Sequence, residues 1–332
     1  MSKYNYIVLG SDWSLYLNAY ADIINLPNVK YYKKPIENKF LSILYRIHTN
    51  TYINNLIPIP FKRIWNYFYY NTSFQEKKPL CFILFPLWYY MNNGIIEHIR
   101  KHYPTAKIVI IFQDLIKTMR MKYTNLPIDI DKLKSETDMV ISFDFGDAKS
   151  YGITYHHIPY SSPKFNLLPD KQYESDVYFI GQAKDRLDEI MEVYHHLKSF
   201  GLKLNFILSR VPLDKQDQYE GITYLNDKQL SYEENLKNIV NTKCLLEIMQ
   251  HGGTGYTIRT LEAISYDKKL ITNNRMIKQA PFYNQDYISC LSKNNSIDPI
   301  FIQNLKSTDP VDYQWKKNIS PIELLDFIES RI

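Results

Sequence analysis

The stretch 245–274 constrains the fold of this chain more than any other part of its sequence. It reads LLEIMQHGGTGYTIRTLEAISYDKKLITNN, an apolar run followed by three glycines within 252–255. Residues 258–264 then have the apolar spacing of a helix, and a second apolar run lies at 270–272. The order is strand, glycine loop, helix, strand, which is a βαβ unit. The sequence therefore predicts an α/β fold with a glycine loop at a helix N-terminus.

The predicted helix carries charges suited to a nucleotide. Backbone amides at a helix N-terminus and the positive end of the helix dipole favour phosphate. Glu262 lies in this helix, and Arg259, three residues earlier, lies on nearly the same side. A carboxylate so placed binds a ribose diol in other nucleotide sites, and an arginine neutralises a diphosphate. The alternative is structural, because glycine loops precede helices in many α/β proteins and the two residues then form only a surface ion pair.

The motifs around this helix are similar to those of a known family. Residues 257–262 form a TxRTxE pattern, the strand KKLITNN follows at 268–274, and the sequence FYN lies at 282–284. These motifs resemble the donor-nucleotide segment of GT-B glycosyltransferases, in particular those of bacterial capsule and lipopolysaccharide synthesis. The resemblance, strongest over 170–290, implies an α/β protein with two Rossmann-like domains that face each other across a cleft.

The resemblance also implies a site for a nucleotide-sugar, bound as the donor substrate rather than as a cofactor. Its predicted residues are Gly181, Lys184, Arg186, His251, Gly252, Gly253, Thr254, Gly255, Thr257, Arg259, Thr260 and Glu262. From these roles we expect Glu262→Ala to raise the donor KM and Arg259→Ala chiefly to lower kcat. Retaining members often carry a glutamate eight residues before the ribose-binding one. Thr254 holds that position here, so the stereochemistry stays open.

A second loop follows the strand pattern at 176–181. Gly181 at its start permits close approach of a ligand to the backbone. Lys184 and Arg186 are cations placed to contact donor phosphates, or else surface cations at the start of a helix. This strand and loop predict the first βα unit of a second Rossmann-like domain.

Two carboxylates at strand ends in the N-terminal part are candidate catalytic bases. Asp12 follows the first strand in the sequence GSDWS, which lacks the GxGxxG spacing of dinucleotide sites. Asp114 follows the strand predicted at 107–112. For Asp12 the role is implied by the resemblance, because the equivalent loop of GT-B proteins faces the interdomain cleft. For Asp114, side chains at strand ends of α/β folds point into the ligand crevice. Helix N-capping by Ser11 or Asp12 is the alternative.

Metal ligands are not evident in the sequence. His156 and His157 form a pair, but no third ligand stands at a recognisable spacing. We expect these two side chains to face opposite ways along a strand. No DxD-like metal site is evident either, and the sequence predicts no metal and a metal-independent reaction.

A proline-containing linker at 161–173 divides the chain. We predict an acceptor-binding domain at 1–162 and a nucleotide-sugar-binding domain at 163–315. A last helix is predicted within 316–332, with Ser320 as its cap and Pro321 at its first position. The resemblance to GT-B chains implies that this helix crosses back to the N-terminal domain.

Basic residues are concentrated in the first third of the chain. Residues 1–123 hold 16 Lys and Arg against 6 Asp and Glu, in a chain of net charge +5. Within 61–68, the aromatic and apolar residues Phe61, Ile64, Trp65 and Phe68 fall at helical spacing beside bases. This pattern suits an anionic membrane surface, although a packed helix and a solvated basic face also fit. Nucleic acid is not an expected partner, because no RNP-like motif is present and the pI is only 8.7.

The cysteine pattern indicates a reducing compartment. Cys81, Cys244 and Cys290 match neither a disulfide framework nor a zinc spacing. No secretory signal is evident, and no apolar run approaches the roughly 20 residues of a membrane span. We expect a cytoplasmic protein, peripheral at the inner face of the plasma membrane.

These observations lead to one functional hypothesis with alternatives. The chain is expected to transfer a sugar from a nucleotide-sugar to a hydroxyl of a surface polysaccharide or lipid-linked oligosaccharide. A polyol-phosphate transferase and a non-catalytic partner in polysaccharide assembly are the alternatives. An NAD-linked enzyme ranks lower because the dinucleotide fingerprint is missing.

Overall fold

The computed structural model describes residues 2–57, 59–91, 94–122, 128–163, 168–226, 230–250, 252–305 and 310–332. It divides into two compact units. Unit 1 comprises Met1–Ser161 and Ser320–Ile332, and unit 2 comprises Ser162–Ile319.

Unit 1 contains a six-stranded, fully parallel sheet. Its strands are β1 (Asn5–Leu9), β2 (Val29–Tyr32), β3 (Leu80–Leu84), β4 (Lys107–Phe112), β5 (Met139–Ser142) and β6 (Thr154–Tyr155). Their order in the sheet is β2-β1-β3-β4-β5-β6. Every residue of β1 is buried, as expected of a parallel strand that is covered on both faces. The progression of the chain across the sheet reverses between β1 and β3, so the topological switch point of unit 1 lies there.

Nine helices of unit 1 connect these strands within the described ranges. They are α1 (Ser14–Ala19), α2 (Ala21–Ile24), α3 (Lys39–Thr49), α4 (Thr51–Leu56), α5 (Pro86–Met91), α6 (Ile95–His102), α7 (Ile116–Lys122), α8 (Ile130–Glu136) and α9 (Phe145–Tyr151). The sequence favours a single helix over 15–24, but the structure divides this stretch into α1 and α2. The backbone carbonyl of Ala19 accepts hydrogen bonds from the Ser161 amide (3.0 Å) and hydroxyl (2.9 Å), and that hydroxyl in turn accepts from the Asp22 amide (2.9 Å). The helix is interrupted here because Ser161 occupies the Ala19 carbonyl and the Asp22 amide, which would otherwise form hydrogen bonds within the helix.

Unit 2 contains a second parallel sheet of six strands. They are β7 (Ser175–Gln182), β8 (Leu204–Ser209), β9 (Ile222–Leu225), β10 (Thr242–Glu247), β11 (Lys269–Thr272) and β12 (Ile288–Cys290). The order β12-β11-β10-β7-β8-β9 is the Rossmann order, with its switch point between β7 and β10. The sequence also favours strands over 204–209 and 222–225, and these stretches coincide with β8 and β9.

Within the described residues, unit 2 contains the helices α10 (Leu187–Ser199), α11 (Tyr232–Val240), α12 (Ile258–Ser265), α13 (Pro299–Asn304) and α14 (Lys316–Ile319). The strand–loop–helix–strand stretch is thus β10, a loop, α12 and β11, and the two strands pair in parallel. The α/β class with two Rossmann-like domains is confirmed.

The last helix, α15 (Pro321–Glu329), belongs to unit 1. Ser320 caps it by accepting a hydrogen bond from the Ile322 amide, and its apolar residues Leu324, Leu325 and Ile328 are buried. Glu329 near its end accepts hydrogen bonds from the Tyr6 hydroxyl and from the Ser2 hydroxyl, each at 3.0 Å. These contacts join the final helix to the first strand of the same unit.

The two adjacent histidines do not face opposite ways. His156 and His157 are both buried, their ring centroids lie 4.4 Å apart, and His156 Nε2 lies 3.0 Å from Glu323 of α15. The expectation of alternating directions is wrong because β6 ends at Tyr155, before this pair. Among the described residues, no helix is long and apolar enough to cross a membrane.

Candidate functional site

The glycine loop begins at the carboxyl end of β10, beside the switch point of unit 2. In open α/β sheets, ligands bind in the crevice outside the carboxyl ends of the strands at this point. Gly252 has φ +90°, and no heavy atom lies within 4 Å of the place that a Cβ would take, so this turn favours glycine and leaves open space beside it. The carbonyl of Gly255 accepts a hydrogen bond from Asn274 Nδ2 at 3.1 Å. The loop is therefore tied to the strand-end residue after β11.

The other predicted residues of this stretch lie in the loop or at the start of α12. Thr257 is its N-cap, and its hydroxyl accepts a hydrogen bond from the Arg259 amide at 3.1 Å. Gly253 donates its amide to the Gln250 carbonyl at 3.2 Å, and Thr254 is half-buried in the same turn. His251 lies outside the described residues, so its predicted role stays a prediction.

A buried carboxylate that the sequence analysis did not single out organises this end of the sheet. Glu247, the last residue of β10, is buried, and its Oε1 accepts hydrogen bonds from Thr257 and from Thr260 (2.8 Å). Its Oε2 accepts from the hydroxyl of Thr272 in β11. One side chain thus links two strands to the N-terminus of α12. The signal in the sequence was a carboxylate directly after the apolar residues Cys244–Leu246 of β10.

Glu262 and Arg259 form a buried pair rather than a surface one. The Glu262 side chain is fully buried, and the Arg259 side chain, 14% exposed, donates to its Oε2. Glu262 Oε1 accepts from the Tyr232 hydroxyl (2.9 Å) and from Asn235 Nδ2 (3.1 Å). Burial raises the pKa of Glu262, while Arg259 and these hydrogen bonds oppose the rise. The surface ion pair considered from the sequence is wrong, because α11 covers this side of α12.

The arginine is consequently held in place by its surroundings. Its guanidinium lies 5.7 Å from the ring centroid of Tyr178 in β7, and the Tyr178 hydroxyl donates to Asn235 at 3.0 Å. Glu262 directs Arg259 through their ion pair. A cation fixed beside a helix N-terminus and next to a glycine loop is suited to stabilise a diphosphate.

The loop after β7 differs from what its sequence suggests. A Cβ on Gly181 would lie 2.9 Å from the ring of Phe179, a core residue, so this glycine makes room for the aromatic ring. Arg186 is buried, and it donates to the carbonyls of Ile248 and Gln182 at the ends of β10 and β7. Burial lowers the pKa of Arg186. Lys184 is exposed and has φ +47°, a strained conformation for a residue with a side chain. Of the two cations, Lys184 is the one whose charge faces solvent.

Asp12 lies on a cavity at the switch point of unit 1. The cavity has a volume of about 270 Å³. Helix α1 begins at Ser14, and its N-cap residue Trp13 makes no side-chain cap. Asp12 is exposed and is not the helix cap, so N-capping by Asp12 is wrong. Ser11 Oγ does accept a hydrogen bond from the Trp13 amide at 3.1 Å.

Asp114 lies after β4, which is two strand positions from β1. Strands in a sheet are about 4.8 Å apart, so the two carboxylates follow strands roughly 10 Å apart. Asp114 is half-buried, and it accepts a hydrogen bond from the Leu115 amide at 2.9 Å. Asp12 and Asp114 therefore remain alternative candidates for one base rather than two halves of a carboxylate pair.

No cluster of three or more His, Cys, Asp or Glu side chains that would hold a metal occurs in the described part of the chain. The cysteines are free, with Cys81 and Cys244 buried.

The fold is that of the GT-B glycosyltransferases, which have two Rossmann-like domains. An α-glucosyltransferase in complex with UDP-glucose and DNA containing an abasic site has a similar structure, with a TM-score of 0.51 and 9% identity over 98% of this chain and 92% of the other. The glycosyltransferase SnogD from Streptomyces nogalater has a TM-score of 0.42 and 8% identity over 99% of each chain. A DNA-modifying β-glucosyltransferase has a TM-score of 0.41 and 12% identity, over 98% of this chain and 95% of that one. At 9% identity, the likeness to the α-glucosyltransferase shows the fold and nothing beyond it.

No protein-family model matches the chain. No curated protein matches it either.

Proposed function

We propose that this protein is a glycosyltransferase that uses a nucleotide-sugar as its donor substrate. The observation that carries the proposal is the arrangement at the switch point of unit 2. There, a glycine loop and the N-terminus of α12 adjoin Arg259, whose orientation is fixed by buried Glu262. The GT-B fold, and the UDP-glucose held by a protein of similar structure, support the same assignment.

In the proposed reaction, an acceptor hydroxyl attacks the anomeric carbon of the donor sugar. The bond between that carbon and the diphosphate oxygen breaks, and the nucleoside diphosphate departs with the electron pair. The hydroxyl proton passes to Asp12 or Asp114 in unit 1. Loop amides and Arg259 stabilise the charge that develops on the diphosphate, with Lys184 a further candidate contact. We propose that the reaction needs neither a metal nor a cofactor.

The buried state of Glu262 changes the role that we propose for it. Its carboxylate accepts hydrogen bonds from Tyr232, Asn235 and Arg259, so positioning of Arg259 is its first function. Contact with a ribose would require a hydroxyl of the ribose to reach this fully buried carboxylate. Thr257 and Thr260 likewise act through Glu247, because their hydroxyls donate to it.

The experiment that tests the donor site is a thermal-shift panel of UDP, GDP, CDP, dTDP, CMP and NAD. A ligand that binds only the native state at 100 times its Kd stabilises it by about 2.7 kcal/mol. We expect one nucleoside diphosphate to raise the Tm of the wild type, and the shift to shrink in Arg259→Lys. A shift with NAD alone, or with no ligand at millimolar concentration, would contradict the proposal. The second of these results would favour a non-catalytic partner in polysaccharide assembly.

We propose a surface polysaccharide or a lipid-linked oligosaccharide as the acceptor, as in the capsule and lipopolysaccharide group that the motifs resemble. The mass of the product distinguishes sugar transfer from the alternative, which is transfer of a polyol-phosphate. Our expectation of no nucleic-acid partner stays a prediction, and the DNA in the similar complex makes duplex DNA a useful acceptor control.

We propose that the protein is cytoplasmic and peripheral to an anionic membrane, and a surface of unit 1 supports the peripheral association. On α3, an apolar face of exposed side chains follows the spacing i, i+3, i+4, i+7 and consists of Phe40, Ile43, Leu44 and Ile47. The opposite side of the helix holds buried Tyr45, which packs edge-on against Trp65 at a centroid distance of 5.4 Å. Trp65 was expected to share a face with Phe61 and Ile64, but the segment Lys62–Tyr67 is a 3-10 helix that buries Trp65 and exposes the other two.

We expect the apolar face of α3 to bind vesicles that contain phosphatidylglycerol. Replacing Ile43 and Ile47 by Ser should lower the partition coefficient by about tenfold or more, because each side chain loses favourable transfer energy. Sedimentation with vesicles measures this. Ile300→Ser is the matched control, since Ile300 is 67% exposed but belongs to unit 2. An unchanged double variant would contradict membrane docking by this face, and equal binding to neutral vesicles would contradict the preference for an anionic membrane.

A further inference from the structure

The cavity of unit 1 has a composition that the proposed transfer chemistry does not by itself require. Its lining places Lys33, Lys34 and Arg46 around Asp12, together with the apolar side chains of Ile36 and Leu87. Three cations against one carboxylate give the cavity a net positive charge. Within the described ranges, the three cationic side chains form no hydrogen bond or ion pair with the protein, so their charges are available to a ligand.

The floor of this cavity is rigid. Trp88 Nε1 donates to the Gly10 carbonyl at 2.6 Å, and the Tyr31 hydroxyl accepts from the Ser11 amide at 3.1 Å. A Cβ on Gly10 would lie 2.3 Å from the Tyr31 ring, so only glycine permits this close approach. The loop that carries Asp12 is thus held between two aromatic side chains. Burial raises the pKa of the Tyr31 hydroxyl to about 12, which keeps it protonated and able to donate.

Helix α3 contributes to both the cavity and the surface. Ser42, Tyr45 and Arg46 line the cavity, whereas the residues of the apolar face of α3 point away from it. The cavity volume of about 270 Å³ lies just below the range of roughly 300–1,000 Å³ for small-molecule sites. It accommodates a small charged group with part of its carrier rather than a long glycan.

We infer that this cavity binds a phosphate group of the acceptor, against Lys33, Lys34 and Arg46, and so presents a nearby acceptor hydroxyl to Asp12. The inference rests on the proposed function in assigning the ligand as an acceptor, but phosphate binding itself does not depend on it. A phosphate matches the three cations, and Arg46 supplies a planar pair of donors for its oxygens. The phosphate belongs either to a lipid carrier or to a water-soluble sugar phosphate.

The test is calorimetric titration of the full chain with two phosphate probes and their neutral counterparts. Geranyl phosphate represents a lipid carrier, and glucose 6-phosphate represents a soluble acceptor, with geraniol and glucose as the neutral controls. We expect at least one phosphate probe to bind, with an affinity about tenfold or more above that of its neutral counterpart. Preference for geranyl phosphate assigns the lipid source, and preference for glucose 6-phosphate assigns the soluble one.

Variants assign that binding to the cavity. We expect the affinity for the phosphate probe to fall by about tenfold in the double variant Lys33→Gln/Lys34→Gln and in Arg46→Gln. The affinity should rise by roughly three- to fivefold in Asp12→Asn, because this substitution removes a negative charge next to the phosphate. Lys39→Gln is the matched control, since Lys39 is an exposed cation in the first turn of α3 that does not line the cavity. All these positions are exposed, so the variants are expected to keep the wild-type Tm.

The inference is overturned if neither phosphate probe exceeds its neutral counterpart. It is also overturned if Lys39→Gln weakens binding as much as the cavity variants do. Failure of the proposed function has a different signature, which is the absence of a thermal shift with any nucleoside diphosphate while phosphate binding persists.

Discussion

Arg259→Met is expected to lower kcat for sugar transfer by about 10²- to 10³-fold, with a smaller change in the donor KM. Loss of one group that stabilises charge in the transition state has this magnitude. The physical reason is that Arg259 is the cation fixed beside the glycine loop by Glu262 and by the ring of Tyr178. Steady-state kinetics with the donor that the ligand panel identifies measures the effect.

Stability has to be separated from catalysis in this variant. Arg259→Met alone leaves the fully buried Glu262 without its cation, which costs about 3–5 kcal/mol. The double variant Arg259→Met/Glu262→Gln removes both charges, so we expect it to recover most of the lost stability while kcat stays low. Glu262→Gln alone retains Arg259 and should keep kcat within about tenfold of the wild type. Wild-type kcat in the folded double variant would show that Arg259 does not act on the diphosphate.

Glu247→Ala is expected to destabilise unit 2 by about 3–5 kcal/mol. Three threonine hydroxyls donate to this buried carboxylate, and a hydrogen bond to a charged group contributes about 1.5 kcal/mol or more. Hydrogen exchange of the amides in β10, α12 and β11 measures the loss, because it reports on unit 2 separately from unit 1. We expect protection to fall most at the N-terminus of α12.

Two matched variants define the origin of this effect. Glu247→Gln keeps an oxygen that accepts from Thr257 and Thr260 but loses the acceptor for Thr272, so an intermediate loss is expected. Glu233→Ala removes an exposed glutamate of α11 and should change stability by less than about 0.5 kcal/mol. Equal destabilisation by Glu247→Ala and Glu233→Ala would contradict a structural role for the threonine hydrogen bonds.

Several features followed from the sequence because their causes are local. Apolar runs of four to eight residues identified strands such as β4, since parallel strands are buried on both faces. Serine and proline at 320–321 marked the start of α15, because the cap and the first helical position have their own chemistry. The glycines of 252–255 located the loop before α12, since Gly252 has a positive φ.

The same reasoning could not supply the contacts that define the candidate site. Arg186 was expected at donor phosphates, but it reaches two backbone carbonyls on strands that are distant in sequence. Glu247 was passed over because its three partners are spread over 257–272, and only strand pairing brings Thr272 to it. The Arg259–Glu262 pair has ideal spacing for a surface ion pair, and only the packing of α11 over it makes it buried.

The sequence by itself therefore determined the α/β class, the order of the strands along the chain and the places where loops follow strand ends. Periodicity and turn chemistry act between neighbouring residues, so they are legible without the fold. The tertiary structure alone decided which charges are buried, which remain exposed, and that α3 turns an apolar face outward and Arg46 toward a cavity. Burial and pairing depend on elements far apart in sequence, and for that reason the contacts of the candidate site depend on packing.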